Sequence, residues 1–201
     1  MAKLYGIKKR LADKGIDEKL KKEIIGNGDL IGVTERMEQL LEPEMMREIL
    51  DSCACLGSRE YIKMCEKAGK EAADKTLEEK VKHFSNEYDY YKITLNDNKT
   101  LNVKMSFNAN NTLAANENNE KYGCVCGAAV KNRVKVSDYA VPTNSSDGCV
   151  MPLSYCICCA GSSRVHLQLK LGVSLKTKEI ISSPINSRGE KPCEFTFEIL
   201  G

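Results

Sequence analysis

The stretch LSYCICCAGSSRVHLQLKLGVSLKTKEII, Leu153 to Ile181, changes its hydrophobic period part-way, and that change decides the fold class. From Leu153 to Leu171 it reads as one long helix, closed by Gly172, a residue that takes the left-handed conformation at a helix end without a Cβ penalty. After the glycine, Val173, Leu175, Thr177, Glu179 and Ile181 fall on one face of a strand. Cys193, Phe195, Phe197 and Ile199 repeat the alternation up to Leu200. Between the two strands lies Ser182-Ser183-Pro184-Ile185-Asn186-Ser187-Arg188-Gly189-Glu190, a connection rich in turn formers.

Working outward, Leu101, Val103, Met105 and Phe107 alternate in the same way, and Asn96-Asp97-Asn98-Lys99 supplies turn chemistry between them and Ile93 and Leu95. This is a hairpin. Asn108 to Asn119 reads as an Asn-rich loop, Cys124 to Val136 as a further strand and Pro142 to Gly148 as another loop. The N-terminal half has the helical period instead. Thr34 is a suitable N-cap for a helix carrying Met37, Leu40 and Leu41, and Pro43 opens the first turn of another with Met46, Ile49, Leu50 and Cys53. Ser58 can cap a helix with Tyr61, Met64, Cys65 and Ala68, and Leu77, Val81 and Phe84 continue the pattern to about residue 86. The fold class is α+β: an antiparallel sheet with a helical layer. Residues 1–32, which end near Gly26-Asn27-Gly28-Asp29, read as a short helix and linker, and 33–201 as one domain with a helical part (33–86) and a sheet part (87–201).

Charge excludes some partners. Thirty Lys and Arg against 28 Asp and Glu give a net +2, with no basic block dense enough to bind nucleic acid. The mixed run from Glu66 through Lys80 is a solvated helix face. Nothing is membrane-like, and the opening MAKLYGIKKRLADKG lacks the apolar core of a secretory signal, so a cytoplasmic location is expected. There, the matches at Asn98-Lys99-Thr100 and Asn110-Asn111-Thr112 are not glycosylation sites. Ten cysteines in a reducing compartment more often bind metal or do redox chemistry than form structural disulfides.

The cysteines cluster as Cys53/Cys55, Cys124/Cys126 and Cys156/Cys158, the last extended by Cys159. On a helix Cys156, Cys159, Ser163 and His166 share one stripe, while Cys158 points elsewhere. Strand periodicity turns Glu179 and Cys193 inward. A buried carboxylate and thiol facing two further thiols are costly when charged unless they pair or coordinate a cation. Cys156, Cys159, Glu179 and Cys193 would then make a closed tetrahedral zinc site. Iron–sulfur ligation ranks below zinc because the tight cysteine runs it uses are only partly present. Cys124 and Cys126 could join this site or make a second one with Cys53 and Cys55. Cys65 reads as a packing residue, and His166 as structural.

The segments Tyr155-Cys156-Ile157-Cys158-Cys159, Leu171-Gly172-Val173, Glu179-Ile180-Ile181-Ser182 and Cys193-Glu194-Phe195-Thr196-Phe197 together resemble the end of 4-vinyl-reductase-type small-molecule-binding domains. In zinc-bearing members a helix Cys, a strand Glu-x-x-Cys and a final Cys hold the metal. The resemblance matches Cys156 or Cys159, Glu179 and Cys193 to that pattern, with Ser182 standing where the family has Cys. The same ending resembles the L-2-amino-thiazoline-4-carboxylic acid hydrolase-like group and a Cys-x-Cys-rich microbial family. These resemblances imply a pocket between helices and sheet, and they transmit no substrate.

Three functional classes follow. The first is a cytosolic zinc-binding domain that senses a small molecule. The second is an enzyme using Cys158, Cys126 or Cys124 as nucleophile or redox thiol. The third is an interaction module that pairs through its helices, including as a homodimer.

Overall fold

Helix α7, Ile157–Leu171, is the element on which the other layers meet. The computed structural model describes residues 6–28, 30–87, 91–97, 99–108, 122–123, 152–187 and 190–200. Among the described residues six helices precede α7: α1 (Ile7–Asp13), α2 (Glu18–Ile25), α3 (Leu30–Leu40), α4 (Pro43–Ser52), α5 (Arg59–Glu71) and α6 (Leu77–Ser85). Strands β1 (Tyr91–Asn96), β2 (Thr100–Met105), β5 (Ser174–Ser182) and β6 (Cys193–Leu200) form an antiparallel sheet in the order β1-β2-β6-β5. A short pair, β3 (Phe107–Asn108) and β4 (Tyr122–Gly123), continues from β2. The chain is therefore α+β, with a helical N-terminal half followed by a sheet and one long helix.

Local signals account for most boundaries. Pro43 sits in the first turn of α4, and the Ser58 hydroxyl accepts the Tyr61 amide at 3.2 Å to start α5. Thr76 and Glu79 form a reciprocal capping box that makes α6 a helix of its own rather than a continuation of α5. Gly172 ends α7 at φ 72°. The β1–β2 turn carries Asp97 at φ 49°. At the other expected cap the chain differs: α3 begins at Leu30, so Thr34 lies inside the helix and is buried. The helical face won over the local capping signal.

The N-terminal segment also departs from the expected helix and linker. It forms two helices, and Asp17 caps the second by accepting the Lys19 and Leu20 amides. Leu11 and Ile24 are completely buried in the same core as Met37, Ile49, Phe195 and Phe197. Burying two such side chains stabilises the fold by roughly 3–6 kcal/mol, which explains why a polar stretch is ordered at all.

Helices α4 and α5 meet α7 through small residues. A Cβ on Gly161 would stand 2.6 Å from the Asp51 carbonyl oxygen of α4, and one on Gly69 of α5 would stand 2.0 Å from the Leu169 carbonyl oxygen. Both crossings with α7 thus require glycine, because any side chain would force helix backbones apart. On the other side of α7, Leu167 and Leu171 join Leu175, Phe195 and Phe197 in the core shared with the sheet. Lys170 is buried too, with its ammonium paired to Glu87 and 5.2 Å from the Phe84 ring centroid.

Candidate functional site

Polar residues on α4 recur at helical spacing. Glu44, Arg47, Glu48 and Asp51 occupy positions i, i+3, i+4 and i+7, so they share one face, while Ile49 and Leu50 are buried in the core. That face turns toward the edge strand β5 and, with α7 and Leu200 of β6, bounds a cavity of about 230 Å³. Its floor is a cross-brace between three elements. Asp51 accepts Arg164 Nε at 3.2 Å and Nη2 at 2.5 Å, and also the Thr177 hydroxyl at 2.6 Å. Arg164 donates its remaining Nη1 to Gln168 Oε1 at 3.0 Å, and the same oxygen accepts the Leu175 amide at 3.0 Å. Asp51 and Arg164 are each only about one-fifth exposed, so this forked pair is shielded and well satisfied.

The rim is more open. Lys176 and Glu44 pair at 3.0 Å with just over half of each side chain exposed, and Lys14 pairs with Glu48. The hydrogen bond and charge of Lys176 hold the Glu44 carboxyl below its usual range, and Glu44 raises the lysine in return. Arg47 donates to the Lys178 carbonyl at 2.6 Å. This blocks part of an edge strand and sits at its irregularity, since the β5–β6 register shifts between Thr177 and Glu179 and again between Ile180 and Ser182.

That irregularity corrects one expected ligand. Leu175 and Thr177 point inward as their alternation requires, but Glu179 pairs opposite Thr196 and is exposed, and Ile181 is 42% exposed. The first bulge shifts Glu179 and Ile180 by one place before the second intervenes, and a one-residue slip exchanges the two faces of a strand. Ile180, opposite Phe195, takes the inward position instead. Cys193 does face inward and is buried, paired with Met105 of β2.

Cys156 ends a 3-10 turn, Leu153–Cys156, and is buried. Cys159, one turn on, is half-buried. Because α7 folds back onto β5 through the tight turn at Gly172, the start of α7 and the far end of β5 lie at one end of the domain, where the 3-10 turn touches β5. The start of β6 at Cys193 is at the same end. Among the described residues, no three His, Cys, Asp or Glu side chains are grouped so that they could hold a metal ion. Cys124 and Cys126, with Cys149, the Asn-rich loop, the strand expected from Cys124 to Val136 and the loop from Pro142 to Gly148, lie outside the described residues, apart from Asn108 in β3.

Cys158 is half-buried and its thiol donates to the Tyr155 carbonyl at 3.3 Å. His166, two turns later and roughly 12 Å further along the axis, is no base for it. The imidazole contacts the Leu56 carbonyl through Nε2 at 3.0 Å and packs edge-on to Tyr61. Burial lowers its pKa despite that carbonyl, so it is a neutral, structural histidine. Burial likewise pushes the Cys53 thiol up to about 11 and raises Cys65, which removes both as thiolates near neutral pH.

No family model, curated protein or solved structure matches the chain. No helix among the described residues is long and apolar enough to cross a membrane. In the sequence the polar stripe of α4 is less conspicuous than the clustered thiols. Glu44-x-x-Arg47-Glu48-x-x-Asp51 was its visible signal, and Arg164 and Thr177 carried none.

Proposed function

We propose that the protein is a small-molecule-binding domain of the sensor type, with its ligand held in the cleft between α4, α7 and the β5–β6 hairpin. One observation carries this reading: a concave site joins helices and sheet, and its floor of Asp51, Arg164 and Thr177 is already fixed by mutual hydrogen bonds. A preorganised floor binds without the cost of ordering its side chains. Zinc is the second part of the proposal, supported by the burial of Cys156 and Cys193 at one end of the domain and by the resemblance of the C-terminal segments. The described residues do not by themselves make a zinc ligand set, and exposed Glu179 does not belong to one, so ligand binding is assigned to the cleft without the metal.

The test is a metabolite-library titration of the full chain, followed through the backbone amide signals of Glu48, Lys176, Thr177 and Leu200. Saturable shifts confined to those amides are expected. If no compound produces them, the cleft is not a binding site. Elemental analysis of protein purified without oxygen tests the metal separately, with one zinc per chain expected.

A further inference from the structure

We infer that the ligand of this cleft is a small zwitterion, one molecule carrying a carboxylate and an ammonium group on an apolar body. The inference rests on the cleft being a binding site and adds what it selects. Both signs of charge alternate around it: Glu44 and Glu48 stand beside Arg47 and Lys176. A ligand of one sign would meet its opposite but also leave a like charge close by, and like charges in one site repel. A zwitterion satisfies both. Its carboxylate replaces Glu44 on Lys176 and its ammonium replaces Lys176 on Glu44, so neither rim group loses a partner.

The exposure of the two layers shows which charges exchange. The Asp51–Arg164 pair is shielded, forked and bound to Thr177 and Gln168, so it stays as the floor. The Lys176–Glu44 pair is more than half exposed on both sides, and such pairs contribute little to folding, so it opens readily to a ligand. Both groups remain charged around neutral pH, since each shifts the other toward its ionised form. Leu175 and Leu200 provide the apolar wall. The cavity, at about 230 Å³, lies below the range of sites for drug-sized ligands, which limits the occupant to the size of an amino acid.

The experiment titrates the full chain with each of the twenty common amino acids in turn, by calorimetry and by the amide shifts of Lys176 and Thr177. For every binder, the N-acetyl derivative, which keeps only the anion, and the amide, which keeps only the cation, are measured beside it. At least one amino acid with an apolar side chain should bind at these amides, with both derivatives weaker by about tenfold or more, the scale of one lost charge-assisted hydrogen bond. Lys176→Met and Glu44→Gln should each weaken it by a similar factor while leaving the thermal midpoint nearly unchanged. Equal binding of a singly charged derivative would overturn the zwitterion and leave the cleft standing as a site. The same holds if the library titration finds only ligands that lack one of the two charges and no amino acid binds. Silence from both titrations would remove the cleft and the zwitterion together.

Discussion

The first turn of α7 and its middle turns are built from different materials. The first turn carries the thiols Cys158 and Cys159, just after Cys156 at the end of the 3-10 turn, with Cys156 buried and the other two half-buried. The middle is made of Gly161 and Arg164, which meet Asp51 from more than a hundred residues earlier and, through it, Thr177 of β5. The thiol end is conspicuous in sequence, yet among the described residues it groups no three metal-ligating side chains. The middle is inconspicuous, yet it contains a closed hydrogen-bond network beside a cavity. Residues of striking type do not make a site until the backbone turns them toward one another.

The largest effect should come from the backbone crossings that hold α7 in place. Gly69→Ala puts a methyl group 2.0 Å from the Leu169 carbonyl oxygen, so the helices must separate. Even after the helix-propensity gain from alanine, a loss of about 3 kcal/mol is expected in denaturant unfolding. An unchanged midpoint would mean that α5 and α7 do not pack this closely. Next comes Asp51→Ala, which leaves Arg164 shielded without its carboxylate and Thr177 without its acceptor. It should cost about 2 kcal/mol, and a double-mutant cycle with Arg164→Ala should show strong coupling. Additive losses would make the cross-brace incidental.

Cys156→Ser and Cys193→Ser sharpen the contrast from the other end. Without a metal each exchanges a buried thiol for a hydroxyl, at about 1 kcal/mol. If zinc is held there, metal content should fall together with a larger loss of thermal stability. Unchanged metal content in both variants would remove these cysteines from the ligand set. The smallest effect belongs to His166. Its folded-state pKa lies below the ordinary 6.5, so the unfolded chain binds the proton more readily. Its contribution is therefore fully present above pH 6.5 and fades as pH falls from there toward the lowered value. His166→Gln should flatten the drop in thermal midpoint across that range relative to the parent, and an unchanged drop would remove His166 as its source.

Much of the architecture was legible, for identifiable reasons. The α7–Gly172–β5 junction, the β1–β2 hairpin and the Pro43 and Ser58 helix starts are local events, each specified by residues within one or two turns of each other. Two features misled. Thr34 has the chemistry of a cap but sits where the apolar face of α3 already needs a buried residue. The polar segment before residue 32 hides Leu11 and Ile24, two isolated side chains whose burial becomes evident only once α3 and α4 supply a surface for them. At the site, the inward placement of Cys193 was legible from strand alternation. The outward placement of Glu179 was not, because the bulge after Thr177 has no glycine or proline to announce it.

By itself, the sequence determined the order and type of the elements and the apolar faces they would bury. Short-range periodicity and capping chemistry are sufficient for both. Only the tertiary structure decided which polar residues became neighbours. Asp51, Arg164 and Thr177 are brought together by a helix crossing that Gly161 permits, and Glu179 is turned away by one extra residue in a ladder. Both outcomes depend on backbone geometry between distant segments, which no local pattern encodes.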